Sequence, residues 1–281
     1  MKNNILKFIL PVALFSLILT ILIPYFTNSF ENIRQKKENE EYSRIFLQEK
    51  LAREKAEQEA KEKVYLLGQF DPSMREDFAL VPAKYDIGGY EMYLREETMY
   101  SFKNMAEVAE KDGIELNMTS ATRNFDYQKD YWNKKWEGKI FVDGKDLSQS
   151  LLNEQERFNK LLEYVAPPGT SRHHWGTEID INGVSQNFYE TAQGEKVYAW
   201  LTKNAPLFGF CQTYSTKDLK RLVGYNEEKW HWSYLPLSKK LTQEYKDLVK
   251  DEDIKGFDGD QYFAGQNLIN NYVLMINPEC L

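Results

Sequence analysis

The chain has 281 residues, of which 42% are hydrophobic and 14% aromatic, enough for one well-packed core with residues left for appendages. A formal net charge of −7 and a pI near 5.3, without a basic patch, exclude a nucleic-acid backbone as the natural partner. Two cysteines, Cys211 and Cys280, are too few for a disulfide framework, although they allow a single bridge in an oxidising compartment.

At the amino end, Lys2 and Lys7 precede an uncharged run of 19 residues from Phe8 to Phe26, interrupted only by Pro11, Ser16, Thr20 and Pro24. A run of that length can cross a hydrocarbon core as a helix. A cleaved signal would have a shorter apolar region ending in a small-residue site, for which only Thr27-Asn28-Ser29 faintly qualifies. Residues 1–30 are therefore read as an uncleaved membrane anchor. Basic residues flank it on both sides, so its orientation is not set by charge alone.

From Glu31 to Lys63 nine acidic and nine basic residues interleave over 33 positions without Gly or Pro. Many pairs place an acid four residues before a base, as in Glu40/Arg44, Glu49/Arg53, Glu57/Lys61 and Glu59/Lys63, the order that supports a solvated helix. Residues 31–68 are expected to form a helical stalk or charged linker, ~50 Å long if straight and helical. Its apolar residues, among them Ile33, Ile45 and Leu51, keep no strict heptad, so a stalk-mediated homodimer is compatible with the pattern but not required by it.

The globular domain is expected over residues 69–281. Leu94 to Lys111 has helical spacing ended by Asp112-Gly113, and Ile114-Glu115-Leu116-Asn117-Met118 alternates as a half-buried strand. An aromatic-rich helix follows through Tyr127, Tyr131, Trp132 and Trp136, then a loop or hairpin over 139–145. Helical spacing resumes over Asp146 to Val165 and stops at Pro167-Pro168-Gly169. Further helices are expected over Val197–Asn204 and Leu237–Lys250, with Phe208-Gly209-Phe210 turning into a strand. The tail from Phe257 to Leu281 either folds back on the domain or closes one side of a cleft. Without a βαβ rhythm, these elements predict an α+β fold.

All three histidines, His173, His174 and His231, fall in two short segments. A catalytic divalent metal takes three protein ligands from His, Asp or Glu and keeps one position open. His173 and Asp180 are seven residues apart with Gly176 between them, which suits a turn entering a strand. Ile179 and Ile181 flank Asp180, so in an extended segment the isoleucines face the core and the carboxylate faces away. Trp230 and Trp232 bracket His231 in the same manner, and a turn or bulge is expected to bring Glu228 to the same side.

Ser171-x-His173-x-x-Gly176-x-x-x-Asp180 followed by Glu228-x-Trp230-His231 resembles the signature of the D-alanyl-D-alanine carboxypeptidases and dipeptidases related to vancomycin-resistance enzymes. These lie within the wider zinc peptidase group that includes lysostaphin and hedgehog. Ser120-x-x-Arg123-x-x-x-x-Gln128 is similar to a third motif of the carboxypeptidase branch, and the likeness spans roughly residues 69 to 240. The resemblance implies a small antiparallel sheet carrying a Zn2+ held by His173, Asp180 and His231, with flanking helices. It implies Glu228 as general base and Arg123 as the group that stabilises an oxyanion or grips the substrate carboxylate, with Gln128, Ser171 and Trp230 on the substrate side. His174 competes with His173 as ligand, and the spacing from Ser171 favours His173. One position departs from the pattern: where a small residue is usual two before the aspartate, this chain has Glu178, which is expected to face solvent.

The function implied is removal of the terminal D-Ala from peptidoglycan stem peptides, outside the bacterial cytoplasmic membrane, by a single-pass anchored enzyme. The alternatives are an L,D-carboxypeptidase or endopeptidase of the same family, or a non-catalytic zinc module that binds wall peptides or a protein.

Overall fold

The computed structural model describes residues 3–281, with side chains from residue 15 onward. The chain divides into two compact units, one ending at Glu59 and one spanning Ala60–Leu281. Helix α1, Asn3–Leu66, supplies the first unit and enters the second. Its charged residues pair four apart, as expected, but with the base first, as in Arg34–Glu38, Lys50–Glu54 and Arg53–Glu57. These pairs are solvent-exposed, so they contribute little beyond helix solubility. Among the described residues no helix is long and apolar enough to cross a membrane. Residues 8–14 of the expected anchor lie outside those whose side chains are described.

In the second unit, β1 (Phe78–Leu80) and β2 (Tyr93–Arg95) form an antiparallel ribbon leading into α2 (Glu96–Lys111). Then come β3 (Met118–Ser120), α3 (Phe125–Trp136), α4 (Leu147–Ser150), α5 (Glu154–Leu162) and β4 (Glu178–Ile181). The chain continues through α6 (Gln186–Tyr189), α7 (Ala192–Asn204), β5 (Phe210–Gln212), β6 (His231–Tyr234) and α8 (Leu235–Leu248). Four strands make one antiparallel sheet in the order β3-β4-β6-β5, so the fold is α+β.

Two expected elements are cut short by competing hydrogen bonds. The strand expected from Ile114 begins only at Met118, because the Ile114 amide bonds the end of α2 at Ala109 and the Asn117 amide bonds the Asn182 side chain. The helix expected over 146–165 is two, because the Asn153 side chain caps the Glu156 amide and holds Asn153 extended at φ −74°, ψ 115°.

One face of the sheet packs Ile179, Ile181, Met118 and Trp232 against Phe102 and Met105 of α2 and Leu201 of α7. A second cluster joins Trp132, Phe158, Trp175 and Tyr245 to the end of α1 at Leu66 and to tail residues Phe257, Phe263 and Val273. The tail therefore folds back into the core, and Cys280 ends it in a disulfide to Cys211 on β5. That bridge closes a separation of 69 residues, so Cys280→Ser is expected to lower unfolding free energy by about 2–4 kcal/mol in denaturant titrations under oxidising conditions, and to have no effect once the wild type is reduced.

Candidate metal centre

The core decides which way β4 and β6 present their side chains. Ile179 and Ile181 are fully buried in the core, so alternation turns Glu178 and Asp180 to the opposite face, and Trp232 does the same for His231 and Ser233. The antiparallel register sets Asp180 opposite His231 and Glu178 opposite Ser233. His173 arrives from a single 3-10 turn, Arg172–Trp175, which Gly176 closes at φ 73°. A Cβ on Gly176 would come within 2.5 Å of the Phe78 ring, so this turn admits glycine alone.

His173 Nδ1–H donates to the Ala121 carbonyl at 2.7 Å, which aims the Nε2 lone pair at Asp180, 3.4 Å away. His231 Nδ1 lies 2.9 Å from Glu228 Oε2 and 3.9 Å from Asp180 Oδ1. One ligand atom from each of His173, Asp180 and His231 lies within 4.8 Å of the other two. His173 Nε2 and Asp180 Oδ1 are buried with no hydrogen-bond partner. Orphans of this kind are costly unless a further group satisfies them. A cation would do so here, and two imidazole nitrogens with one carboxylate oxygen are a donor set that suits zinc. Burial, with the nearby Arg123 charge, depresses the His173 pKa and keeps the ring neutral. Burial pushes Asp180 the other way, but the charges of His231 and Arg123 oppose it and the carboxyl is held low.

The two adjacent histidines have separate tasks. His174 is fully buried, donates from Nδ1 to the Arg123 carbonyl at 2.5 Å and accepts the Gly169 amide at Nε2, 3.0 Å away. The Arg123 amide in turn donates to the His173 carbonyl at 3.1 Å, so both histidines pin the loop that carries Arg123.

Glu178 does not face solvent. It is fully buried, and its Oε2 accepts from His231 Nε2–H at 3.0 Å and from the Thr213 hydroxyl at 3.0 Å. Its Oε1 accepts from Ser233 at 2.6 Å and sits 3.3 Å from Arg172 Nε. Burial alone would raise the Glu178 pKa, but Arg172, His231 and Ser233 more than offset it and keep the carboxylate ionised. The strand period carried this signal: a residue two before Asp180 on a strand shares its face.

A cavity of about 280 Å³ opens over the three clustered groups and is lined by Arg123, Ser171, Glu228 and Trp230 among others. Ser171 is buried in its wall, Trp230 is half-buried, and Arg123 Nε is buried without a hydrogen-bond partner. Gln128 is not on the wall; its amide donates to the Ala166 carbonyl at 2.6 Å from a fully buried position. Lys135 is on the wall although no motif marked it: it is 7% exposed, its Nζ 4.7 Å from the centre of the Tyr131 ring. Helical spacing from Tyr131 along α3 was the available signal.

The sheet, the turn and the ligand cluster define a metallopeptidase-like site. A family model described as VanY, D-alanyl-D-alanine carboxypeptidase, matches residues 91–237, just over half of the chain, and the chain belongs to that family. Among curated relatives, the putative carboxypeptidase YodJ of Bacillus subtilis is 32% identical over 166 residues, covering 57% of this chain and 53% of that protein. A D-alanyl-D-alanine carboxypeptidase of Enterococcus faecalis is 39% identical over 72 residues, 26% of this chain and 25% of its own length. The chain thus spans about half the length of the first of these relatives and a quarter of the second. Similar solved structures include the LdcB LD-carboxypeptidase, with 24% identity, a TM-score of 0.45 and coverage of 70% of this chain and 79% of that one. A variant of the vancomycin-resistance D,D-pentapeptidase VanY in complex with Zn(II) has 23% identity, a TM-score of 0.41 and coverage of 65% and 93%.

His173→Ala is expected to abolish stoichiometric metal binding, measured as metal content per chain. His174→Ala is expected to retain the metal while losing about 1–3 kcal/mol of stability, because it leaves the Gly169 amide and Arg123 carbonyl unpaired.

Proposed function

We propose that this protein is a zinc-dependent carboxypeptidase that removes the terminal D-Ala from peptidoglycan stem peptides. In this reading it acts outside the cytoplasmic membrane, tethered by residues 1–30 through the charged segment 31–68, with the catalytic domain over 69–281. One observation carries the reading: His173 Nε2 and Asp180 Oδ1 are buried orphans that converge with His231 on one point, beside Glu228 and in a cavity that Arg123 lines. His173, Asp180 and His231 would hold the zinc, which would supply Lewis acidity toward a carbonyl and toward water near neutral pH.

The chain's own groups do the rest. Glu228 Oε2, on the cavity side of His231, takes the proton of the attacking water and returns it to the leaving amine. Arg123 brings a fixed cationic fork to the cavity, suited to a developing oxyanion or a terminal carboxylate. Lys135 adds a second positive charge to the wall, which favours a peptide with a free carboxyl terminus. Ser171 lines the cavity next to them as a hydroxyl donor, and Trp230 offers an apolar face for the substrate side chain.

The full chain is expected to release D-Ala from a stem pentapeptide, to stop when chelated and to recover on adding Zn2+. Glu228→Gln is expected to lower kcat by roughly 10²–10⁴-fold while keeping the metal. Release from the tetrapeptide instead would reassign the enzyme as an L,D-carboxypeptidase. Tight peptide binding with no release from either substrate would replace the enzyme with a binding module. Lys135→Met is expected to raise KM for the free pentapeptide several-fold with little change in kcat, as measured by initial rates, and to leave KM unchanged for an amidated one.

A further inference from the structure

Resting on the metal-site reading above, we propose that Glu178 is a positioning residue that fixes which nitrogen of His231 faces the metal, and that Arg172 fixes Glu178 in turn. Glu178 Oε2 accepts from His231 Nε2–H at 3.0 Å, so Nδ1, 2.9 Å from Glu228 and 3.9 Å from Asp180, is the nitrogen that would give up its proton and turn a lone pair toward a bound metal. The tautomer of a ligating histidine is set by the hydrogen bond at its other nitrogen. Among the described residues Glu178 is the one group bonded to that nitrogen.

The other half of the carboxylate is equally constrained. Its Oε1 receives the Ser233 hydroxyl at 2.6 Å and the Thr177 hydroxyl at 3.4 Å, and forms an ion pair with Arg172 Nε 3.3 Å away. Arg172 itself is fully enclosed, with its guanidinium 4.5 Å from the centre of the Trp175 ring and Nη1 donating to Thr242 at 2.9 Å. Its charge has no exit to solvent, so an acceptor must stay on the Oε1 side. A small residue at position 178 would leave both the guanidinium and His231 Nε2–H unpaired in the interior.

This geometry gives Glu178→Gln an unusual consequence. The amide oxygen must face Arg172, so the amide NH2 takes the place of Oε2 and donates toward His231. His231 Nε2 then becomes an acceptor, its proton moves to Nδ1, and that proton points where the metal ligates. Removing the guanidinium as well, in Glu178→Gln/Arg172→Met, frees the amide to turn its oxygen back to Nε2–H. A side chain that served packing alone would give the opposite pattern, with the double variant worse than the single one.

The experiment measures Zn2+ affinity by competition with a chromogenic chelator, and the tautomer by 15N-edited imidazole spectra of the full chain, which has only three histidines to assign. Zinc-loaded wild type is expected to carry a slowly exchanging proton on His231 Nε2. Glu178→Gln is expected to bind Zn2+ about 10–100-fold more weakly, and the double variant to recover most of that loss with the Nε2–H resonance restored. Thr213→Val, which removes a hydroxyl from the same oxygen without turning it, is expected to keep the wild-type tautomer and serves as the folding control. Wild-type affinity and an intact Nε2–H signal in folded Glu178→Gln, or no recovery in a folded double variant, would overturn the assignment of Glu178 and leave the metal site standing. Failure of the wild type to bind any divalent metal would overturn the site reading itself.

Discussion

The structure depends on the antiparallel pairing of β4 with β6. Hydrophobic burial holds Ile179, Ile181 and Trp232 on the core face, and the period of two then obliges Glu178, Asp180, His231 and Ser233 to share the other. A slip of one residue in either strand would turn a ligand into the apolar core and a core side chain onto the metal face, so the same contacts that stabilise the sheet also set the ligand geometry. The metal-site side chains thus stand on a rigid platform and do not rely on loop conformation, apart from His173. For His173 the rigidity comes from the Gly176 turn and from the hydrogen bond to Ala121.

Charge is the second organising constraint. Glu178 and Glu228 flank the two nitrogens of His231, and together with Asp180 they outweigh the effect of burial and push its pKa up to about 9, so a metal bound at Nδ1 would displace the proton held there. Without the buried Arg172 on the far side of Glu178, three carboxylates would converge on one imidazole with little compensation. Buried ion pairs are weak contributors to net stability relative to apolar packing. The arrangement is better understood as one that orients groups, with the Thr213 and Ser233 hydroxyls satisfying the remaining lone pairs of Glu178.

The carboxyl-terminal tail extends this support outward. Cys280 and Ile276 pack with Tyr214 and Tyr225, and the Tyr214 ring meets the His231 ring edge-on at 5.0 Å between centres. Tyr272 continues the stack against Tyr225 at the same spacing, 5.0 Å. Packing therefore runs without interruption from the disulfide to the imidazole, and the tail, which the sequence left either folded back on the domain or closing a cleft, backs the cavity wall.

The sequence by itself determined the local chemistry: the helix over α2, the isoleucine alternation that turns Asp180 outward and the clustering of all three histidines, while the resemblance to the carboxypeptidase signature favoured His173 over His174. These were legible because they depend on periodicity and on neighbours a few residues away. Tertiary structure alone decided the Cys211–Cys280 bridge, the return of the tail, the cut ends of the strand at Met118 and of the helix at Asn153, and the burial of Lys135 and Gln128. It also decided the environment of Glu178, whose face follows from strand alternation but whose partners Arg172, Thr213, His231 and Ser233 come from three separate stretches of chain. A charged residue is read as solvated when only its neighbours in sequence are known, and it can be buried only when distant groups meet to neutralise and hydrogen-bond it.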